Sequence, residues 1–377
     1  MQKLAILSPA HPLRGGIASS SERLARELQS QDFEVVIYTF SLQYPGFLFP
    51  GKTQYSNDPA PNDLKIKVVI NSINPFNWWK TGRELKRWKP DLIIARYWLP
   101  FMGPCLGSIL RVVKKNKHTK VIALADNIIP HEPRLGDRQL TQYFVNSVDG
   151  FLVMSRSVKE EVRQFSSSKP VCYIPHPIYD NYGELIEKRA ALEHFGLSKE
   201  VHYLLFFGFI RDYKGLDMLL SAMADERIRS LNLKLIVAGE YYGNQAFYEN
   251  LIRTKGLENQ VILKTSFIPH DEVKYFFGAA DLVVQPYKTA TQSGISQLAY
   301  HFEKPMLVTK VGGLPEIVEH GKVGYVVEVE VQAIADAIVD FFENERQEEL
   351  TKGVIENKTQ FSWHNMVKGI EGLFAEI

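Results

Sequence analysis

The chain has 377 residues, 45% of them hydrophobic and 23% charged. That balance excludes disorder as the main state and supplies apolar material for about two domain cores. The formal net charge is +1, which argues against a basic nucleic-acid binder. The two cysteines, Cys105 and Cys172, are too few for a disulfide framework or a cysteine-rich zinc cluster and point to a reducing compartment.

Met1-Gln2-Lys3 runs straight into an apolar segment with no signal-peptide pattern. The stretch Tyr97 to Leu110 lacks charge but is shorter than a membrane span and contains Pro100 and Pro104. A soluble, cytoplasmic protein is the expectation. In chain order, short apolar runs predict strands at Leu4–Leu7, Glu34–Phe40, Lys67–Ile70, Leu92–Ala95, Val121–Leu124, Gly150–Met154 and Val171–Ile174. Helical periodicity falls between them at Ile17–Gln29, Asn77–Trp88 and Asp137–Ser147. A polar stretch over Tyr179–Val201 reads as a linker. The strand pattern then restarts at Tyr203–Phe207, Lys234–Ala238, Val261–Lys264, Leu282–Gln285, Met306–Thr309 and Tyr325–Val327, and a last amphipathic helix begins at Phe361. Nearly continuous apolar strands alternating with helices predict parallel sheets covered on both faces. Two such runs imply an α/β protein of two doubly wound domains, 1–178 and 179–360, with segment 361–377 following them.

The near-neutral total hides a division. Residues 1–178 hold 24 Lys+Arg against 14 Asp+Glu, whereas residues 179–377 hold 20 against 29. A basic and an acidic half suit different partners.

In parallel sheets, ligands gather beyond the carboxyl ends of the strands, where helix N-termini converge. The first such exit, Ser8 to Ile17, carries Gly15 and Gly16, which let backbone N–H groups approach an anion. It is not the GxGxxG fingerprint of a dinucleotide site. The first exit of the second half, Phe207-Gly208-Phe209-Ile210-Arg211-Asp212-Tyr213-Lys214-Gly215, sets two cations three residues apart between glycines. That equipment suits the charge developing on a diphosphate leaving group. Further on, Gln292-Ser293-Gly294-Ile295 opens a helix over Ser296–Phe302 and could hold sugar hydroxyls and a phosphate, although Ser293 equally suits a helix cap. Val311-Gly312-Gly313-Leu314-Pro315-Glu316 reads first as a turn. His131, just past a strand end, could bind a sugar hydroxyl. His11 is a weaker candidate, and His176 in Pro175-His176-Pro177 shapes a turn. No H-E-x-x-H or Cys/His spacing is present, so no metal site is expected.

These residues, in this order and spacing across essentially the whole chain, resemble glycosyltransferase family 4, in its exopolysaccharide and lipopolysaccharide branch. The resemblance implies the GT-B fold, two Rossmann-like domains facing a central cleft, with the acceptor on the side of 1–178, the nucleotide-sugar donor bound by 179–360, and the C-terminal helix 361–377 packed back on the first domain. It also implies retaining transfer of a sugar from a nucleotide-diphosphate donor, with no cofactor or metal. Arg211 and Lys214 match the pair on the donor phosphates. Gly15 and Gly16 match the first-domain loop that closes over them, and His131 the histidine near the donor sugar. Gln292, Ser293, Gly294 and Ile295 fall at donor phosphate and sugar contacts, and Gly208, Glu240, Ile268 and Gln297 at nucleotide contacts. One departure stands out. The family's two glutamates are replaced here by Gln292 and Gln297, with no acidic residue between Tyr287 and Phe302. Glutamine keeps the hydrogen bonds and drops the charge, and no carboxylate is left there to act as a nucleophile.

The implied function is hexosyl transfer to a hydroxyl of a glycan or lipid-linked acceptor in cell-surface polysaccharide synthesis. A sugar-nucleotide epimerase of the same fold and a non-catalytic sugar-nucleotide binder are the alternatives. The segment 76–89 mixes Trp78, Trp79 and Trp88 with Lys80, Arg83, Lys86 and Arg87. It suits either core packing with a solvated face or peripheral contact with an anionic membrane. Nucleic acid is not expected as a partner.

Overall fold

Thirteen parallel strands in two sheets form the frame of the computed structural model, which describes residues 1–46, 53–56, 59–130, 134–290 and 293–377. The chain divides into two compact units, Met1–Pro175 with Trp363–Ile377, and His176–Ser362. The first unit holds β1 (Lys3–Leu7), β2 (Glu34–Leu42), β3 (Ile66–Asn71), β4 (Leu92–Tyr97), β5 (Lys120–Ala125), β6 (Gly150–Val153) and β7 (Val171–Tyr173), in the order β3-β2-β1-β4-β5-β6-β7. The second holds β8 (His202–Phe207), β9 (Leu233–Ala238), β10 (Val261–Lys264), β11 (Leu282–Gln285), β12 (Met306–Thr309) and β13 (Gly324–Val327), in the order β10-β9-β8-β11-β12-β13. Both sheets wind outward from one central strand and then cross back beside it. The direction of winding therefore reverses between β1 and β4 and between β8 and β11, the two places where an open α/β sheet offers a ligand crevice.

The strands are buried because helices cover both faces. All six residues of β4 are buried, including Arg96. A charge in that position is tolerable only if paired and fully hydrogen-bonded. Arg96 meets Asp126 through two bonds, Nε to Oδ2 at 2.7 Å and Nη2 to Oδ1 at 2.7 Å, and Nη1 donates to Ser20 Oγ at 2.9 Å. Ser20 and Ser21 lie on the helix Gly16–Ser30, and Ser21 Oγ is 2.6 Å from Ser8 Oγ at the exit of β1. One buried ion pair thus ties the ends of β1, β4 and β5 to the first helix.

The C-terminal helix Trp363–Glu376 belongs to the first unit. Its Trp363, Met366, Val367, Ile370 and Leu373 recur at helical spacing and pack with Leu4, Ile6, Leu24 and Leu28. The stretch over Tyr179–Val201 is more than a linker. It contains the helix Lys188–Phe195, whose Ala191 and Leu192 are buried in one cluster with Phe276 and Phe277. Most of its other residues face solvent, which is why its composition reads as polar. Cys105 is buried, Cys172 is half-buried, and both are free. Among the described residues no helix is long and apolar enough to cross a membrane.

Asp126→Ala strands a buried guanidinium and is expected to cost about 3–5 kcal/mol of stability. Asp63→Ala breaks the exposed Arg26–Asp63 pair, 2.6 Å, and is expected to cost at most about 1 kcal/mol. Urea denaturation midpoints of the two variants check the contrast.

Candidate functional site

The crossing point of the second sheet gathers most of the candidate residues. β8 ends at Phe207, and Gly208 follows in the left-handed region at φ 94°, its N–H donating to Ala238 O at 2.8 Å. The chain then reaches Arg211 and a single 3₁₀ turn, Asp212–Lys214. Gly215, at φ 69°, starts the next helix, Leu216–Ala222. A side chain at Gly215 would place its Cβ 1.9 Å from Pro286 O, so only glycine lets this turn lie against the exit of β11. Lys288 locks the contact. Its N–H donates to Tyr213 O at 2.7 Å, and its ammonium pairs with Asp212 at 2.8 Å and Asp217 at 3.1 Å. Burial alone would lower the Lys288 pKa, but these two carboxylates outweigh it and the net shift is upward.

Arg211 and Lys214 are the opposite case. Among the described residues neither side chain has a hydrogen-bond or ion-pair partner. Their neighbours are aromatic: the Arg211 guanidinium lies 5.1 Å from the Tyr242 ring centroid and the Lys214 ammonium 5.6 Å from that of Tyr287. Burial pushes the Lys214 pKa down to about 8, and the Arg211 charge adds to the fall. Two cations held beside each other, with no counter-ion among the described residues, are an arrangement that can receive an anion.

The surrounding candidates fall into place by different routes. A Cβ on Gly208 would lie 3.1 Å from Lys214 Nζ and 3.3 Å from Ile295 Cδ1, so Gly208, Lys214 and Ile295 converge. Ser293 caps the helix Gly294–His301, its Oγ accepting from the Ile295 N–H at 3.2 Å and lying 3.3 Å from Tyr287 Oη. Gly294 faces Tyr179, whose ring carbon would lie 2.6 Å from an added Cβ. Glu240 borders the site through its backbone, its carbonyl accepting from the Ile210 N–H at 2.8 Å. Ile268, beyond β10, is partly buried in the cluster with Leu205 and Ile236. Gln297 is fully buried, and neither Oε1 nor Nε2 has a hydrogen-bond partner among the described residues. On the preceding strand Gln285 accepts from Ser296 Oγ at 3.0 Å, and its own Nε2 has no partner among the described residues. His131 and Gln292 lie outside the described residues.

In the first unit, Gly15 at φ 113° is the N-cap residue of the helix Gly16–Ser30, and no side chain caps it. No residue of the first turn is acidic, so the helix dipole is uncompensated at that end. The Arg14 N–H donates to Gln54 O at 3.0 Å and its Nε to Thr53 O at 2.9 Å. The His11 N–H donates to Glu22 at 2.8 Å, and burial raises the Glu22 pKa despite that bond. His176 is buried, with Nδ1 2.7 Å from Pro177 O and Nε2 3.3 Å from Tyr179 Oη, a structural place in the turn. At the Val311–Glu316 exit, Gly312 at φ 48° leads into the short helix Leu314–Ile317. Among the described residues no group of three or more His, Cys, Asp or Glu is placed to hold a metal ion.

Residues 14–181 match the family described as Glycosyltransferase Family 4, and residues 187–361 match Glycosyl transferases group 1. The chain is a glycosyltransferase of the GT-B type. It is 25% identical to an uncharacterized glycosyltransferase of Methanocaldococcus jannaschii, over 100% of this chain and 99% of that protein. Among solved structures, sucrose-phosphate synthase from Thermosynechococcus elongatus superposes with a TM-score of 0.77 at 16% identity, over 100% of both chains. The Anabaena protein HepE, solved with UDP and glucose, superposes with a TM-score of 0.73 at 16% identity, again over 100% of both.

Sequence reasoning missed the two rings beside the cations as site residues. Tyr287 belongs to no motif, and Tyr242 is 31 positions from Arg211, so the β8–β9 pairing and the bridge that extends it at Ile210–Tyr241 bring the two together.

If the Lys214 ammonium must be charged to hold a diphosphate, affinity should weaken as pH rises through about 8, approaching tenfold per pH unit above it. Lys214→Arg keeps its charge and should flatten that dependence. Titration calorimetry with a nucleoside diphosphate from pH 7 upward separates the two. Gln297→Leu removes two buried polar atoms that lack partners among the described residues, and the ligand-free variant is expected to melt no lower than the parent.

Proposed function

We propose that this glycosyltransferase moves a hexosyl group, with retention of configuration, from a nucleoside-diphosphate sugar to a hydroxyl of a growing surface glycan or lipid-linked acceptor. The observation that carries the reading is the pair of uncompensated cations, Arg211 and Lys214, beside the glycine that ends β8. A sugar leaves a nucleoside diphosphate by breaking the bond between its anomeric carbon and the β-phosphate oxygen, and negative charge builds on that oxygen. Fixed cations in a water-poor setting stabilise such charge more in the transition state than in the ground state. HepE, of the same fold, has been solved with UDP and glucose, ligands of the class this site suits.

Retention follows from where the acceptor attacks. With no carboxylate between Tyr287 and Phe302, that segment offers no nucleophile for a covalent glycosyl intermediate. In the proposed step the acceptor hydroxyl approaches the face from which the diphosphate departs. Its oxygen forms the new bond to the anomeric carbon, and its proton passes to the leaving phosphate. Arg211 and Lys214 hold that phosphate throughout. The resemblance to the polysaccharide and lipopolysaccharide branch supports a surface glycan as the acceptor class.

Arg211→Ala is expected to lower turnover by about two to three decades, the loss seen when one such electrostatic donor is removed, with melting temperature and circular dichroism unchanged. Near-parental turnover contradicts the reading. Donor consumed at full rate with no acceptor present points instead to a sugar-nucleotide epimerase. Donor bound but never consumed with any acceptor supplied points to a binding protein.

A further inference from the structure

The first unit has a second cation-lined concavity, built from other residues. The helices Pro75–Trp88 and Gly103–Lys114 pack side by side and leave a pocket of about 440 Å³ lined by Trp79, Arg83, Lys86, Arg87, Val112 and Lys115. Four of these six are cations and none is acidic. Their neighbours on the same helices are satisfied elsewhere. Glu84 pairs with Lys67, Lys114 pairs with Asp149, and Arg111 donates to the carbonyls of Gly107 and Tyr143. Arg83, Lys86, Arg87 and Lys115 have no ion pair or side-chain hydrogen bond among the described residues. The Arg83 guanidinium stacks 4.5 Å from the Trp79 ring centroid, which holds its charge at the pocket wall.

The apolar residues beside the pocket divide between the core and the solvent. Trp78 and Trp88 turn inward. Trp78 Nε1 donates to Asn71 O at 2.7 Å, and Trp88 lies against Tyr38. Trp79 is 54% exposed, Phe76 86% and Ile73 51%. Phe76, Trp79 and Arg83 follow one ridge of the helix at intervals of three and four residues, so two exposed aromatic rings lead directly to the pocket mouth. Exposed aromatics next to unpaired cations match the boundary of a bilayer, where rings enter the headgroup layer and cations meet phosphates.

We propose that this pocket binds the phosphate headgroup of an anionic lipid, and that Phe76, Trp79 and Ile73 enter the surrounding membrane surface. Charge complementarity selects the occupant. Four uncompensated positive groups around a concave floor call for an anion, and the flanking rings call for an apolar layer beside it, which a free phosphate lacks. The inference goes beyond the donor reading and needs no nucleotide sugar for its test.

Co-sedimentation with phosphatidylcholine vesicles, with and without phosphatidylglycerol, tests it on the full chain. The parent is expected to sediment only with the anionic vesicles and to be released by high salt. The variant Arg83→Gln/Lys86→Gln/Arg87→Gln/Lys115→Gln should lose roughly a hundredfold or more in partitioning. Phe76→Ser/Trp79→Ser should weaken binding while leaving its salt dependence in place. All altered side chains are exposed or line an open pocket, so melting curves are expected to match the parent. Equal sedimentation of parent and quadruple variant overturns the proposal. So does saturation of the pocket by glycerol 3-phosphate without vesicle binding, which marks a soluble-phosphate site. Binding of polyuridylate that the quadruple variant loses, again without vesicle binding, overturns it in favour of RNA.

Discussion

The second unit is organised around an electrostatic imbalance. Three cations stand near the end of β8, and only one has counter-ions: Lys288 is matched by Asp212 and Asp217, while Arg211 and Lys214 are matched by none among the described residues. Stability alone does not favour burying an ammonium beside a guanidinium, because both the loss of water and their mutual repulsion disfavour the charged state. The surrounding structure has to hold the pair in place. It does so with the pinned 3₁₀ turn, the close approach of Gly215 to Pro286, and the tyrosine rings that border the charges without neutralising them. An anion placed between them would receive hydrogen bonds and relieve the repulsion at once.

The sheet topology explains why this imbalance falls where it does. Winding outward from β8 and returning at β11 separates the helices that follow those two strands, so their N-terminal ends flank an opening beyond the sheet. The same scheme in the first unit puts Gly15 and the uncapped helix Gly16–Ser30 beyond β1. There the rigid element is the buried Arg96–Asp126 pair, which fixes the strand ends and the first helix together. Each unit therefore presents an arrangement suited to negative charge, one built on backbone N–H groups at a helix start and the other on side-chain cations.

Much of this was legible in the chain. The thirteen predicted strands all occur within a residue or two of their expected limits, because strands covered on both faces are written as unbroken apolar runs. The apolar run that marks β4 ends at Ala95, and a charged residue after it looks like a strand terminus. Arg96 continues the strand because Asp126, 30 positions later, neutralises it. The helix within Tyr179–Val201 was hidden for a related reason: only Ala191 and Leu192 are buried, too few to set a visible period. In the segment 76–89, helical spacing puts Trp78, Leu85 and Trp88 on one face, which packs on the core, yet the face exposed outside the core is the one led by Trp79 and Phe76. Pairwise facts such as the unpaired state of Lys214, or the buried and partnerless amide of Gln297, depend on what does not come near. No linear pattern encodes that.

The central claim is that Arg211 and Lys214 together form a grip for two linked phosphates. The most direct measurement compares the affinities of a nucleoside diphosphate and the matching monophosphate for the parent and for Arg211→Gln/Lys214→Gln. The parent should prefer the diphosphate strongly, and the double variant should bind both with nearly the same affinity while keeping its melting temperature in the absence of ligand. An undiminished preference in the double variant would show that the second phosphate is held elsewhere, and the account of this site would fail.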